Sequence, residues 1–354
     1  MPPAFFASPS YIIAKIPLYY SCILTYKIRI VALSGIFNSS SGSQFATEEI
    51  GGLLNPARKQ KIWAVGGGKG GVGKSLVTAN LSICLSLMGY KVVSIDLDLG
   101  GANLHTCLGI PIPDLTMSDY LNKKVTSIND LLTPTPINNL FVISGAQDDM
   151  GIANLKQTHK NKILSALTDL DTDFILLDLG AGTSANTLDF FMAADQGIIT
   201  TLPEPTSIEN SYRFIKSVYH RKLRTMEEFL ELGPTIDQGL NAKISQNHTP
   251  ADFISKVIQN NPSLGNKLRS EINKLNPKLI INQIRTQADI DIGFSMKIIC
   301  KKYFGINLDY VGYLDYDATV WQSVKRRKPL LMEFPNSVLV NNFDRIVHRL
   351  LNIN

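Results

Sequence analysis

A glycine-rich segment near residue 70 restricts the fold of this 354-residue chain more than any other feature. It reads Gly-Gly-Gly-Lys-Gly-Gly-Val-Gly-Lys-Ser over residues 66–75, and from Gly68 onward it satisfies the pattern G-x-x-x-x-G-K-[ST]. An apolar run at residues 62–65 precedes it, and helical apolar spacing over residues 75–87 follows it. A strand that leads through such a loop into a helix directs backbone N–H groups and the helix N-terminus at a phosphate. We therefore predict a phosphate-binding loop.

Two residues at the end of this loop have a defined chemistry. Lys74 is expected to neutralise the β- and γ-phosphates of a nucleotide, and the Ser75 hydroxyl to ligate Mg²⁺. Lys69 is a second lysine within the loop, which a single phosphate group does not need. The residues expected to contact the nucleotide are Gly68, Lys69, Gly70, Gly71, Val72, Gly73, Lys74 and Ser75.

Strands and helices alternate from residue 61 onward. Apolar runs typical of buried strands occupy residues 62–65, 91–95, 141–144, 174–177, 197–201, 279–281 and 310–314. Helical spacing occupies residues 75–87, 161–170, 186–194, 208–230, 289–303 and 319–325. This alternation predicts a doubly wound α/β fold, with a mostly parallel sheet and helices on both faces. Ligands of such sheets bind at the carboxyl ends of the strands.

Three carboxylates come at predicted strand ends. Asp178 is followed by Gly180 and Gly182, so it can hold the Mg²⁺ shell while a flexible loop senses the γ-phosphate. Asp96 and Asp98 share one face of an extended segment. The alternative for each is a solvated carboxylate that ends a strand.

Residues 69–75, Lys-Gly-Gly-Val-Gly-Lys-Ser, closely resemble the deviant Walker A motif of the MinD/ParA family of ATPases. Other segments resemble the family's later motifs in the family's order, namely residues 94–104, 175–182, 201–207, 279–285 and 311–317. The resemblance covers roughly residues 61–351. It is close to the MinD-like branch that includes the flagellar-placement ATPase FlhG.

This resemblance implies a P-loop NTPase fold of the SIMIBI type, ATP and Mg²⁺ as ligands, and a sandwich dimer formed with ATP. In the family the first loop lysine, here Lys69, reaches the nucleotide of the partner subunit. By the same resemblance Asp98 positions the attacking water, and Asp96 supports Mg²⁺ or its loop. Asn282 is expected to contact adenine. Asp315 lies in the loop that closes the base pocket, where the family usually has proline.

The sequence therefore predicts a Mg²⁺-dependent ATPase that acts as an ATP-gated dimerisation switch, with slow hydrolysis that a protein activator stimulates. The expected role is spatial placement of a flagellum or a division site. The alternative is a ParA-like partition ATPase that binds DNA nonspecifically. Iron–sulfur carriers need paired cysteines, which this sequence lacks. A scaffold without turnover is disfavoured by Asp98.

The surface partner stays open between DNA, membrane and protein. Basic residues between Arg213 and Arg224 and the cluster at 325–328 can meet DNA phosphates, or can be solvated helix faces. Apolar residues from Leu339 to Leu350 follow helical spacing. That helix either packs on the domain or anchors the protein to a membrane. We expect a cytoplasmic protein, with peripheral binding at the inner face of the cell membrane as the further option.

Two segments differ from the rest of the chain. Residues 1–47 contain no Asp or Glu, and residues 39–55 are rich in Ser and Gly. We expect residues 1–60 to be a disordered leader and linker, or the result of a misassigned start; membrane association and targeting are the alternatives. Residues 61–354 are expected to form the ATPase domain. Within it, polar residues at about 232–277 predict a helical insertion.

Overall fold

A single sheet organises the part of the chain that the structure describes. The structure is a computed structural model, and it describes residues 60–98, 101–145, 155–229 and 249–353. The strands of the sheet are β1 (Lys61–Gly66), β2 (Val92–Leu97), β3 (Thr133–Pro134), β4 (Leu140–Ile143), β5 (Phe174–Leu179), β6 (Gln196–Thr201), β7 (Lys278–Ile284) and β8 (Asp309–Asp315). Their order across the sheet is β3-β4-β2-β5-β1-β6-β7-β8.

The pairing confirms the predicted doubly wound, mostly parallel sheet. All neighbouring strands run parallel, except that β3 is antiparallel to β4. β1 lies between β5 and β6, so the glycine-rich loop leaves the middle of the sheet. β3 was not predicted, because it has only two residues and one of them is Pro134. A proline is tolerated at such an edge, where no further strand needs its missing N–H.

Helices connect the strands at the predicted positions. The α-helices are α1 (Lys74–Leu87), α2 (Leu104–Cys107), α3 (Met117–Leu121), α4 (Gln157–Leu167), α5 (Ala185–Ala193), α6 (Pro205–Phe229), α7 (Pro250–Asn260), α8 (Pro262–Asn273), α9 (Gln287–Phe304), α10 (Thr319–Arg326), α11 (Leu330–Glu333) and α12 (Val338–Leu351). A 3₁₀ turn covers Ile128–Leu131.

The sheet separates two apolar cores. Along β5, Ile175 and Leu177 contribute to the core beneath α4, α5, α6 and α9, whereas Phe174 and Leu176 contribute to the core beneath α1 and α12. Successive side chains of a strand point to opposite faces, so a continuous apolar run is required where both faces are covered. Each fully buried side chain of this size stabilises the fold by about 1.5–3 kcal/mol. The two cores hold the strand ends, and thus the loops that follow them, in fixed positions.

The C-terminal helix α12 packs on the domain. Leu339, Phe343, Ile346, Val347 and Leu350 are each no more than 1% exposed, and they belong to the core beneath α1. This arrangement confirms the prediction that the helix packs on the domain, as opposed to the alternative of a membrane anchor, because its apolar face is not available to a bilayer. No helix among the described residues is both long and apolar enough to cross a membrane.

The described part of the expected insertion is helical. Thr249 caps α7 through a capping box with Asp252, and Asn261 caps α8 through the N–H of Leu264. Prolines at the first turn of both helices fit the missing N–H of that position. The two helices pack beside α6 and α9. Residues 230–248 and 1–59 lie outside the described residues, so the leader and the extent of the insertion stay predictions.

Candidate functional site

The glycine-rich loop has the backbone of a phosphate cradle. It connects the end of β1 to the start of α1, and Gly71 and Gly73 have φ angles of 77° and 93°. Only glycine adopts such angles without strain, and they turn successive N–H groups toward the inside of the loop. Lys74 is 8% exposed, at the first turn of α1. The loop thus presents N–H groups, a helix N-terminus and a buried cation to one point.

Close packing fixes other glycines of the loop, which sequence reasoning had missed. A Cβ at Gly68 would lie 2.0 Å from the carbonyl oxygen of Asn210 in α6. A Cβ at Gly67 would lie 2.8 Å from the carbonyl oxygen of Thr200, and one at Gly73 would lie 2.3 Å from the Asn282 amide nitrogen. The loop is therefore clamped between β6, α6 and β7.

Asp178 and Asp96 meet at the ends of neighbouring strands. They are register partners of β5 and β2, and each is 1% exposed. Oδ1 of Asp178 accepts a hydrogen bond of 3.3 Å from the Thr78 hydroxyl, while its Oδ2 has no partner among the described residues. Burial, and next the charge of Asp96, raise the pKa of Asp178 to about 8, while Ser75, Lys74 and Thr78 act in the lowering direction. A bound cation beside this buried, unpartnered carboxylate oxygen would stabilise its charged form.

These residues fit Mg²⁺ in the manner of nucleotide sites. The described residues contain no group of three or more His, Cys, Asp or Glu side chains that could hold a metal ion alone. Mg²⁺ in such sites keeps several waters and takes one or two protein oxygens together with phosphate oxygens of the substrate. Ser75 and Asp178 offer those protein oxygens beside the loop.

Asp96 has a structural task that the sequence did not distinguish from metal binding. Its Oδ1 accepts the N–H of Asp98 and its Oδ2 accepts the N–H of Leu104, both at 3.0 Å. Burial raises the pKa of Asp96 to about 6, although these two N–H groups lower it. Asp96 therefore holds both ends of the loop that carries Asp98. A direct contact between Asp96 and Mg²⁺ stays a prediction.

The Asp98 side chain lies against the loop that follows β5. A Cβ at Gly180 would lie 3.2 Å from Oδ1 of Asp98, so a larger residue there would displace the carboxylate by a few tenths of an ångström. The same loop returns to the phosphate cradle, because the N–H of Gly182 donates to the carbonyl oxygen of Gly67 at 3.1 Å. Asp98, the loop after β5 and the phosphate loop thus form one connected unit at the carboxyl edge of the sheet.

The two loop lysines face different surroundings. Nζ of Lys69 lies 3.4 Å from the Thr206 hydroxyl and 4.0 Å from a Glu204 carboxylate oxygen, and its side chain is 43% exposed. Lys74 is buried in the cradle instead. The segment between β6 and α6 was singled out in the sequence, but its contact with Lys69 was not predicted.

Asn282 and Asp315 lie at the ends of β7 and β8. The Asn282 amide donates to the carbonyl oxygen of Val72 at 2.9 Å, and its oxygen accepts the N–H of Gln283. Asn282 thus braces the phosphate loop, and an adenine contact stays a prediction. The N–H of Asp315 donates to the Asn342 side chain at 3.0 Å.

A stacked pair near these strand ends was missed in the sequence. The Arg285 guanidinium lies 3.8 Å from the ring centroid of Tyr316. Arg285 directly follows β7 and Tyr316 directly follows β8, so the pair stands at the carboxyl edge on the side of Asp315. The pair therefore lies at the same edge of the sheet as the phosphate loop.

The basic helix α6 is largely neutralised by its neighbours. Arg213 pairs with Glu209 at 2.6 Å, and Lys222 pairs with Glu271 at 3.1 Å. Arg221 pairs with Asp189, which also binds the buried Lys160. Burial, and next the charges of Lys216 and Arg224, lower the pKa of His220.

In the second basic cluster, at residues 325–328, Arg326 and Lys328 both pair with Glu333. Both clusters therefore carry less free charge than their sequences indicate, and DNA binding stays a prediction.

A parallel sheet with a glycine-rich loop between its central strand and a helix, a buried lysine in that loop and a buried carboxylate beside it define a P-loop NTPase. Proteins of this class bind and hydrolyse nucleotides. The comparison with known families agrees: residues 58–226 match the ParA family model, described as NUBPL iron-transfer P-loop NTPase. This match covers just under half of the chain and confirms the resemblance to ParA-family P-loop NTPases found in the sequence.

The relatives include proteins of flagellar and division-site placement. The antiactivator FleN of Pseudomonas aeruginosa is 24% identical over 81% of this chain and 83% of its own length. The flagellum site-determining protein YlxH of Helicobacter pylori is 35% identical over 44% of this chain, and the match spans 53% of YlxH, about half of that relative. The septum site-determining protein MinD of Pyrococcus horikoshii, solved in complex with Mg-ADP, has a TM-score of 0.57 at 21% identity and covers 82% of this chain and 96% of its own. The last comparison shows the fold alone.

The description of the family model mentions iron transfer. The described residues contain no pair of thiols that would support this activity. The described residues include three cysteine thiols, Cys84, Cys107 and Cys300, and Cys84 and Cys300 are buried. Burial raises the pKa of both Cys107 and Cys300 to about 12, which disfavours the thiolate that metals require. Cys84 and Cys300 therefore fit a role in core packing.

Proposed function

We propose that the protein is a Mg²⁺-dependent ATPase that works as an ATP-gated dimerisation switch in the placement of a flagellum or a division site. The observation that carries this proposal is the different placement of Lys69 and Lys74. Lys74 serves the nucleotide of its own subunit from inside the cradle. Lys69 lies on the exposed side of the loop, where an opposing subunit would present its phosphates.

Hydrolysis follows from the residues around the loop. Backbone N–H groups and Lys74 would hold the β- and γ-phosphates, and Ser75 and Asp178 would hold Mg²⁺, which when bound would neutralise charge on the phosphate oxygens. Asp98 orients the attacking water. The loop from Gly180 to Gly182 changes conformation depending on whether the γ-phosphate is present. Lys69 adds charge to the transition state only within the dimer, in the manner of an arginine finger, which contributes on the order of 10³–10⁵ in rate. A lone subunit therefore hydrolyses ATP slowly.

The contact of Lys69 with Glu204 and Thr206 suits a resting state. An exposed ion pair at 4.0 Å contributes no more than about 1 kcal/mol, so a partner's phosphates can displace it. An activator protein acts by favouring the dimer, or by ordering the loops that carry Asp98 and Lys69. The flagellum site-determining relative YlxH supports a role in flagellar placement. The fold shared with the septum site-determining protein MinD is compatible with division-site placement.

Light scattering with ATP tests the switch on two variants. Lys69→Ala is expected to bind ATP, to remain monomeric and to lose hydrolysis. Asp98→Ala is expected to dimerise with ATP and to stall there, because the dimer contact is intact while the water is not oriented. Turnover is measured alongside. If Lys69→Ala dimerises and hydrolyses like the parent, Lys69 does not act across the dimer, and the proposed switch mechanism is wrong.

The Asp98→Ala dimer also provides a route to the partners. A pulldown with this variant and ATP should retain proteins that the parent releases after hydrolysis. Lys69→Ala is the matched control, because it is expected to bind nucleotide without dimerising. Proteins retained equally by both variants would not be partners of the ATP dimer.

A further inference from the structure

One buried hydroxyl of α1 reaches the carboxylate that is a candidate to hold Mg²⁺. Thr78 is fully buried, and its hydroxyl lies 3.3 Å from Oδ1 of Asp178 and 3.0 Å from the carbonyl oxygen of Lys74. Asp178 is also buried, and its Oδ2 has no partner among the described residues. The two oxygens of this carboxylate therefore have different surroundings within the described part of the chain.

The position of Thr78 on α1 suits a contact with the metal site. Ser75 and Thr78 are three residues apart on this helix, so their side chains are neighbours on one face. Asp178 belongs to β5, and the Thr78 contact shows that this face is turned toward it. Thr78 lies beyond residues 68–75, which the phosphate-loop pattern covers, so the pattern alone does not point to it.

Other buried hydroxyls of α1 satisfy themselves within the helix. Ser82 and Ser86 follow Thr78 at intervals of four residues, and each donates to the carbonyl oxygen four positions earlier, at 2.8 and 2.9 Å. The bond from Thr78 to Lys74 belongs to the same series. Bonds of this type are a local alternative for any Ser or Thr in a helix. The contact with Asp178 is therefore the feature of Thr78 that needs a separate explanation.

The Thr78 hydroxyl has one hydrogen and two acceptors within reach. A carboxylate that holds a cation is ionised, and it is then a stronger acceptor than a carbonyl oxygen. The terminal torsion of an Asp side chain is broad, so an outside contact is needed to keep its carboxylate in one orientation. A donor at Oδ1 supplies that contact and does not occupy Oδ2.

We propose that Thr78 is a positioning residue for the divalent cation: its hydroxyl holds Oδ1 of Asp178 and leaves Oδ2 for the cation or its water shell. Loss of a partner that contacts a metal ligand, and not the metal, typically lowers metal affinity by about 10–100-fold. The inference rests on the proposed Mg²⁺-dependent function and adds to it a residue outside the phosphate-loop pattern. Lys74 and the loop N–H groups would hold the phosphates, so nucleotide binding without metal should not depend on the Thr78 hydroxyl.

Binding of Mn²⁺ to the ADP-loaded protein tests the proposal on the full chain. Mn²⁺ takes the same oxygen ligands as Mg²⁺, and electron paramagnetic resonance follows its binding. Thr78→Val keeps the branched shape of the side chain and removes the hydroxyl. It should weaken Mn²⁺ binding by about 10–100-fold, whereas calorimetry in EDTA should give the ADP affinity of the parent. Thr78→Ser keeps the hydroxyl and should bind Mn²⁺ nearly as the parent does.

Ser86→Ala is the matched control, because it removes a buried hydroxyl of the same helix eight residues beyond Thr78. It should leave the Mn²⁺ affinity unchanged. Thr78→Ala provides a second variant without the hydroxyl, and melting temperatures show which variants are folded.

The affinities of the folded variants decide the outcome. Parent-like Mn²⁺ affinity in Thr78→Val or Thr78→Ala would overturn the proposal. Equal losses of Mn²⁺ affinity and of metal-free ADP affinity would also overturn it, because they indicate a role in the fold of α1. If the parent binds ADP but not Mn²⁺, the proposed Mg²⁺ site is wrong and this inference falls with it. A parent that binds Mn²⁺ restricts any failure to the role of Thr78.

Discussion

Replacing Gly68 by alanine tests whether packing shapes the phosphate loop before nucleotide arrives. The added Cβ would lie 2.0 Å from the carbonyl oxygen of Asn210 and 2.4 Å from its carbonyl carbon. Both atoms belong to the backbone of α6, a helix of 25 residues. A contact of at least 3.0 Å requires the loop and the helix to separate by about 1 Å.

This separation should reduce stability and nucleotide binding together. Forcing a group into a packed site costs about 1–3 kcal/mol, which lowers the melting temperature of a domain of this size by about 2–8 °C. A displacement of about 1 Å in a positioned site also weakens its function by about 100-fold. We expect nucleotide affinity to fall by a similar factor, because Lys74 and the loop N–H groups move with the chain.

Gly70→Ala is the matched control. Gly70 is in the same loop, has no atom within 4 Å of an added Cβ, and is not among the glycines with positive φ. Its replacement should leave the melting temperature of the nucleotide-free protein within about 1 °C of the parent. Differential scanning fluorimetry without nucleotide, followed by calorimetric titration with ATP and Mg²⁺, measures both effects. Equal melting temperatures for Gly68→Ala and the parent would refute the argument that α6 clamps the loop.

Further predictions concern the cradle, the leader, a buried ring and the brace of the loop. Lys74→Ala should abolish nucleotide binding and turnover, since phosphate charge is left uncompensated; near-normal ATP affinity by calorimetry would contradict the assigned cradle. Removal of residues 1–55 should preserve turnover and melting temperature, because the expected domain begins after them; a large loss of stability would show that the leader packs on the domain. His220 has a lowered pKa, so the unfolded chain takes up a proton near pH 6.5 that the folded protein does not. Folding stability should therefore fall as the pH drops from 7 to 5.5, and His220→Gln should flatten this fall in urea titrations; an unchanged slope would exclude the ring as its source. Asn282→Ala should weaken ATP and GTP binding equally if the amide braces the loop at Val72, and ATP binding selectively if it contacts adenine.

The class of the site could be predicted from the sequence because each of its motifs is a short, continuous segment of the chain. The phosphate loop is one contiguous segment. The strand before it and the helix after it show the hydrophobic patterns that are typical of a buried strand and of a helix. Asp98 and Asp178 follow apolar runs directly, so their positions at strand ends did not depend on any distant contact. The same reasoning predicted α12 as a helix, since Leu339, Phe343 and Ile346 repeat at helical spacing.

Tertiary structure alone decided which of these parts meet. Asp96 and Asp178 lie side by side because β2 and β5 are neighbours in the sheet. Hydrophobic periodicity does not specify this strand order. The brace from Asn282 to Val72 joins residues 210 positions apart, and the contact from Lys69 to Thr206 joins residues 137 positions apart. Ion pairs with Asp189 and Glu271 removed much of the free charge of α6, which no reading of that helix alone could reveal. The sequence specifies these long-range contacts only through the packing of the two cores, because the energy that fixes them is spread over many buried side chains.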